Sequence, residues 1–167
     1  MTRSEFPKRR VVAVIGAGEC DERTAELARE VGRGIAQRGF ALATGGLGGV
    51  MEAASEGARR AGGTVLGILP GTDVSAANRY CDYAIATGVS EARNAILVNT
   101  AEAFVAIAGS YGTLSEIAFA LRQGKPVCAL GSWKVPGAEI REAASPDEAL
   151  EWIFSQIPPS DGDRATS

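Results

Sequence analysis

The chain has 167 residues, of which 46% are hydrophobic and 22% charged, the composition of an ordinary folded domain. Its net charge of −3 offers no basic surface to nucleic acid or an anionic membrane, so we expect neither as a partner. The absence of histidine excludes a Ser-His-Asp triad, histidine metal ligands and an imidazole acid or base, and we expect no metal site.

The cysteines Cys20, Cys81 and Cys128 are far apart and form no CxxC pair. Such a scattered, odd set indicates reduced thiols, as in a cytosolic protein. The basic residues near the start precede only about six apolar residues, too few for a signal peptide or a membrane span. We therefore expect a cytoplasmic protein of one domain, residues 1–167, with disordered tails at 1–9 and 159–167.

Apolar runs alternate with helical patterns along the chain, and glycine or proline ends most of them. In chain order, strands are predicted at residues 11–15, 40–43, 64–69, 83–86, 103–108, 127–130 and 139–143. Helices with their caps and stops are predicted at residues 21–37, 50–61, 90–100, 113–124 and 145–158. This alternation predicts an α/β fold: a three-layer, Rossmann-like, doubly wound parallel sheet of six or seven strands with helices on both faces.

Glycine-rich turns follow four of the predicted strands, at residues 16–18, 44–49, 70–71 and 109–112. The carboxyl ends of parallel strands share one edge of a sheet, and ligands bind there near the switch in strand order. The sequence therefore places all four turns along one edge, where we expect the functional site.

Residues 103–127 carry the strongest of these signals. A fully apolar strand runs into a glycine turn and then into a helix, and free N–H groups at a helix start attract phosphate. The predicted phosphate-binding residues of this turn are Gly109, Ser110, Tyr111, Gly112 and Thr113.

Two earlier glycine turns give weaker signals. Gly16 and Gly18 lack the third glycine of the dinucleotide-binding motif, because position 21 is Asp21, so a tight turn is favoured over an NAD site. Both are nevertheless predicted to contact the ligand phosphate, since their turn lies at the same sheet edge. The loop at 44–49 has four glycines in six residues. It forms either a second N–H cradle through Gly45, Gly46 and Gly48 or a close packing of loop on loop, and we favour the cradle.

Three side chains are candidates beside these turns. Arg93 is predicted in the first turn of the helix capped by Ser90, and its guanidinium suits phosphate. Asn94 can contact a polar ligand group. Glu116 has two interpretations that its position does not separate: it closes a capping box with Thr113, or it acts on the ligand.

The segments TGGLGGVMEAASEGARRAGG (44–63) and SEARNAILVNTAEAFVAIAGSYGTLSEIAFALRQGKPV (90–127) resemble one superfamily. It holds the Lonely Guy cytokinin-activating phosphoribohydrolases, proteins called "lysine decarboxylase", and the molybdenum-cofactor carrier proteins. The resemblance covers about residues 11–130 and is strongest to the short bacterial branch grouped with the carriers. It implies a Rossmann-like homo-oligomer, a dimer or a tetramer. No pyridoxal-phosphate lysine context supports the decarboxylase name.

The phosphoribohydrolases carry the signature Pro-Gly-Gly-x-Gly-Thr-x-x-Glu and an upstream Arg-Lys pair. The resemblance implies that Glu116 matches the signature glutamate and Arg93 the arginine, and these are the predicted catalytic residues of a hydrolase. Glu116 would stabilise the ribosyl centre or position water, and Arg93 would orient phosphate or ribose. The chain departs from the signature at Ala108, Ser110 and Asn94, which replace proline, glycine and lysine.

Three functions follow from these residues and the resemblance. The first is binding of a phosphorylated nucleotide-type or pterin-type ligand, with the molybdenum cofactor as a carried ligand and no cofactor required. The second is hydrolysis of the N-glycosidic bond of a nucleoside 5′-monophosphate. The third is a non-catalytic nucleotide sensor.

Overall fold

The computed structural model describes residues 9–159. Its strands are β1 (Val11–Gly16), β2 (Ala41–Thr44), β3 (Val65–Leu69), β4 (Tyr83–Ala86), β5 (Ala103–Ile107), β6 (Val127–Leu130) and β7 (Arg141–Glu142). Its α-helices are α1 (Glu22–Gln37), α2 (Val50–Arg60), α3 (Arg93–Thr100), α4 (Tyr111–Arg122) and α5 (Pro146–Gln156). The tails predicted to be disordered lie outside the described residues, except for Arg9 and Pro159.

The strands form one parallel sheet in the order β4-β3-β2-β1-β5-β6-β7. The chain winds outward from β1 to β4, then returns to pair β5 with the other side of β1, so the switch point lies between β1 and β5. The predicted doubly wound fold is therefore confirmed, with seven strands.

The helices cover both faces of the sheet, and the alternation of β1 shows the two cores. Val12 and Val14 pack with α1, α2 and α5 on one face. Ala13 and Ile15 pack with α3 and α4 on the other. β5 is buried along its whole length, which agrees with its uninterrupted apolar sequence.

Helices α1 and α2 approach closely through glycine. A Cβ added at Gly32 would lie 2.0 Å from the carbonyl oxygen of Ala54, and one added at Gly57 would lie 2.0 Å from that of Arg29. The small-residue faces of these two helices are therefore used for packing within the chain.

Two predicted helix starts were wrong. Ser90 makes no side-chain cap: it has a φ of +51° and begins a short 3₁₀ turn, Ser90–Ala92, and α3 follows from Arg93. Helix α4 begins at Tyr111 with Ser110 as N-cap, three residues before the predicted N-cap, Thr113. A capping box between Thr113 and Glu116 is therefore excluded, since Thr113 lies inside the helix. Within residues 9–159 no helix is long and apolar enough to cross a membrane.

Candidate functional site

A cavity of about 240 Å³ lies at the switch point, at the carboxyl ends of the central strands. It is smaller than the range of about 300–1,000 Å³ that is typical of small-molecule pockets. The predicted residues that line it are Gly16, Gly18, Gly45, Arg93, Asn94, Ser110, Gly112, Thr113 and Glu116.

Some predicted residues do not line the cavity, and some residues that line it were not predicted. Gly46, Gly48, Gly109 and Tyr111 do not line it, whereas Ile15, Leu47, Met51, Pro70 and Glu91 do. The sequence held some signals for the missed residues, since Pro70 ends the third strand at the same sheet edge and Glu91 lies two positions before Arg93.

The N-terminus of α4 opens into this cavity. Its N-cap, Ser110, makes no side-chain capping bond, and the first helical N–H bonded to the Ser110 carbonyl is that of Leu114, at 3.0 Å. The N–H groups of Tyr111, Gly112 and Thr113 meet no acceptor among the described residues, as expected for the first turn of a helix. This helix end therefore presents free donors and a partial positive charge to the cavity.

Glu116 lies on the inner face of α4 and is only 6% exposed. Within residues 9–159 no group donates a hydrogen bond to its carboxylate, and no cation lies within ion-pair distance. Burial raises the pKa of Glu116 to about 7, although the nearby Arg93 acts in the opposite direction. A buried carboxyl that titrates near neutrality can hold or release a proton at the cavity wall.

Arg93 connects the carboxyl ends of two strands through hydrogen bonds from one nitrogen atom. Its Nη1 donates to the carbonyl oxygens of Gly45, at 2.6 Å, and Ile68, at 2.5 Å, at the ends of β2 and β3. Its Nε is buried and has no hydrogen-bond partner within residues 9–159. Burial lowers the pKa of Arg93, against the opposing effects of Glu116 and Glu91. The edge formed by Nε and Nη2 is therefore the part of the guanidinium left for a ligand.

Asn94 joins α3 to the first turn of α4. Its Nδ2 donates to Ser115 Oγ at 2.8 Å, and Ser115 Oγ donates to the Gly112 carbonyl oxygen at 2.7 Å. Asn94 is 4% exposed. Asn94 therefore stabilises the cavity wall through these hydrogen bonds, and it also lines the cavity.

The loop at 44–49 packs tightly on the turn at 16–18. A Cβ at Gly49, whose φ is +63°, would lie 2.4 Å from the carbonyl oxygen of Ala17. The N–H of Gly46, whose φ is +76°, donates to Thr44 Oγ1 at 3.1 Å. Close packing therefore explains these glycines better than the favoured N–H cradle, and only Gly45 and Leu47 of this loop reach the cavity.

The turn before α4 has an unusual backbone. Ala108 has a φ of +49° and Gly109 a φ of +124°. A Cβ at Gly109 would lie 2.6 Å from the Cβ of Thr113, so glycine is required there. A proline holds φ at about −65°, so the signature proline could not occupy position 108 in this conformation.

No metal-binding cluster is evident in the part of the chain that the structure describes. No group of three or more Cys, Asp or Glu side chains there could hold a metal ion. All three cysteines are unpaired, with Cys128 buried and the others partly buried.

Solved structures with this fold include two proteins whose names mention the molybdenum cofactor. The molybdenum cofactor binding protein of Rippkaea orientalis is 35% identical, with a TM-score of 0.85 over 90% of this chain and 99% of its own. The molybdenum cofactor carrier protein of Chlamydomonas reinhardtii is 34% identical, with a TM-score of 0.78 over 88% of this chain and 98% of its own.

A likeness that covers less of the chain is to an enzyme. The cytokinin riboside 5′-monophosphate phosphoribohydrolase of Mycobacterium tuberculosis is 36% identical over 118 residues, which are 65% of this chain and 63% of that enzyme. Across most of the sequence, residues 9–155, the chain matches the model of the SLOG cluster4 family. The chain belongs to the SLOG cluster4 family.

Proposed function

We propose that this protein binds a phosphorylated ligand of the nucleotide or pterin type, as a carrier does, and holds the phosphate at the N-terminus of α4. The observation that carries the proposal is the uncapped start of α4, which opens into the cavity at the switch point. The similarity to molybdenum-cofactor-binding and carrier proteins over nearly their whole lengths supports it.

The cavity fits one part of such a ligand. The free N–H groups of Tyr111, Gly112 and Thr113 suit a phosphate, and the Nε edge of Arg93 adds a positive charge. A volume of about 240 Å³ suits a phosphate and the adjoining sugar-sized part, and the heterocycle would extend toward the open side of the cavity. In a carrier, the molybdenum cofactor would be the cargo held in this way.

Hydrolysis of a nucleoside 5′-monophosphate is the second candidate, and Glu116 favours it. A buried carboxyl whose pKa is about 7 can serve as an acid near neutral pH. Two observations weigh against it. The φ of Ala108 gives the turn a shape that the signature proline cannot take, and Ser110 replaces a glycine of the signature.

One experiment separates the two functions. The purified protein is incubated with a panel of nucleoside 5′-monophosphates and assayed by chromatography for free base, while calorimetry measures binding. A binding protein gives heat of binding without free base. Release of base by the wild type, lost in Glu116→Gln, would replace the binding proposal with the hydrolase.

A matched pair of variants tests the phosphate position. Gly18 lines the cavity, has no positive φ, and a Cβ there meets nothing within 4 Å. Gly18→Glu adds a negative charge that should abolish binding of inorganic phosphate. Gly18→Gln adds the same volume without charge and should retain more of it. If both variants lose phosphate binding equally, the added volume rather than the added charge prevents binding, and the test would not support a phosphate beside Gly18.

A further inference from the structure

Two aromatic rings, the exposed Tyr111 and the partly buried Trp133, lie in contact near the start of α4. Tyr111, the first residue of α4, is 81% exposed, which is unusual for so large an aromatic side chain. Its ring lies 5.7 Å from that of Trp133, centroid to centroid, with the planes tilted by 32°. The ring of Tyr111 therefore presents an aromatic surface that residues 9–159 leave exposed to solvent.

Hydrogen bonds hold this pair against the turn. Trp133 Nε1 donates to the carbonyl oxygen of Ser110 at 2.9 Å, and Ser132 Oγ donates to that of Ala108. These bonds fix the loop after β6 to the N-cap of α4. The indole is therefore positioned by the same residue that lines the phosphate cavity.

A second hollow lies on the outer side of this turn. It has a volume of about 380 Å³, and its lining includes Gly109, Trp133 and Lys134. Ser110 and Gly112, the neighbours of Tyr111 in sequence, line the first cavity. Trp133 lines the second hollow, and its ring contacts that of Tyr111.

We infer that Tyr111 and Trp133 stack on the planar heterocycle of the ligand whose phosphate is held at the start of α4. This inference rests on the proposed function and adds the position of the ring. The first cavity, at about 240 Å³, is below the usual volume of small-molecule pockets, and we place the ring of a whole nucleotide or phosphorylated pterin at its open rim. Every base has a π-face, so stacking selects for planar bicyclic rings without demanding one base.

A second copy of the chain is the other possible cover for the pair. The surroundings favour a small ligand, because the adjoining hollow is small and its lining is mixed: Ala108, Gly109, Gly131, Ser132, Trp133 and Lys134. Lys134 pairs with Glu142 at 3.1 Å, so charged groups border the aromatic surface. A stable subunit interface buries on the order of 1,000 Å² or more, far beyond two rings.

The test uses GMP and ribose 5-phosphate, which share the phosphate and differ in the ring. Guanine also shares its amino-oxo pyrimidine edge with pterins, so it represents both ligand classes. The chain has two tryptophans, and Trp152→Phe leaves Trp133 as the sole reporter of indole fluorescence. Stacking of GMP should quench this emission, whereas ribose 5-phosphate should bind by calorimetry without quenching.

Variants of Tyr111 give the second measurement. Tyr111→Ala should weaken GMP by about tenfold, the scale of one lost base-stacking contact, and leave ribose 5-phosphate unchanged. Tyr111→Phe retains the ring and should bind GMP as the wild type does.

Several results overturn the inference. If the wild type binds GMP and ribose 5-phosphate equally, or Tyr111→Ala binds GMP normally, the ring lies elsewhere although the phosphate site stands. If Tyr111→Ala instead changes the molecular mass in solution and not GMP affinity, a second copy covers the pair. If neither compound binds the wild type, the proposed function fails and the ring position with it.

Discussion

Replacing Glu116 with glutamine should stabilise the protein at neutral and alkaline pH. Burial raises the pKa of Glu116 from 4.5 to about 7, so the folded chain disfavours the ionised form. At about 1.4 kcal/mol per pKa unit, ionising Glu116 in the folded state costs about 3 kcal/mol. The neutral amide of glutamine has the shape of the protonated acid and escapes this cost.

The sign of the pH dependence follows from proton binding. Between pH 4.5 and about 7 the folded state keeps the proton on Glu116 and the unfolded state has lost it. The contribution of Glu116 to stability is therefore fully present below pH 4.5, falls as the pH rises, and is lost above about 7. The free energy of unfolding of Glu116→Gln should lack this fall.

Urea unfolding of both proteins between pH 5 and pH 8 measures the effect. The stability difference in favour of Glu116→Gln should grow by about 2–3 kcal/mol across this range, or about 5–10 °C in melting temperature for a chain of this size. Glu151→Gln, at an exposed position of α5, is the control for removing a charge. A difference that stays constant with pH would refute the reasoning, because Glu116 would then ionise as freely as in the unfolded chain.

Four further predictions follow from the same structure. Arg93→Ala should lower stability by about 1–3 kcal/mol in urea unfolding, since it removes a donor from two carbonyls, and should weaken GMP binding; unchanged affinity would remove Arg93 from the site. Gly32→Ala should lower the free energy of unfolding by about 1–3 kcal/mol in the same assay, because the added Cβ would clash with the Ala54 carbonyl oxygen. Unchanged stability would show that α1 and α2 can move apart at no cost. Sulfate, whose charge is constant here, should bind the wild type less well at pH 8 than at pH 6 in calorimetry, because Glu116 becomes ionised in this range. Its affinity for Glu116→Gln should not fall. The same pH dependence in both proteins would show that Glu116 does not lie near the bound anion. Light scattering should give the mass of a dimer or tetramer, and a monomeric mass would contradict the expected homo-oligomer.

The fold was predictable because its signals are local. Each strand is a short apolar run, and glycine or proline marks most of the strand ends, so the alternation of strands and helices could be predicted without knowledge of distant contacts.

The helix starts were less predictable. Ser90 and Thr113 are both good capping residues, yet the structure uses Ser110 before α4 and places Ser90 in a left-handed turn. The path of the chain between elements decides this, and capping preference alone does not.

The candidate site was predictable in position but not in its internal contacts. The sequence located Arg93 and the glycine turns at one sheet edge, because parallel strands end together. It could not show that Arg93 Nη1 is taken by the carbonyls of Gly45 and Ile68, which are far away in sequence. Likewise, the glycine content of residues 44–49 signalled a backbone requirement, but the reason is a contact with the turn at Ala17.

The three-residue error at the start of α4 changes how Glu116 must be explained. A glutamate at the third helical position can bond the N-cap N–H and be retained for structure alone. Because α4 begins at Tyr111, Glu116 is the sixth helical residue, and its carboxylate meets no donor among the described residues. A buried carboxylate without a capping bond lowers stability at neutral pH, and groups of that kind are concentrated at functional sites. We therefore propose that Glu116 acts on the ligand rather than in a helix cap.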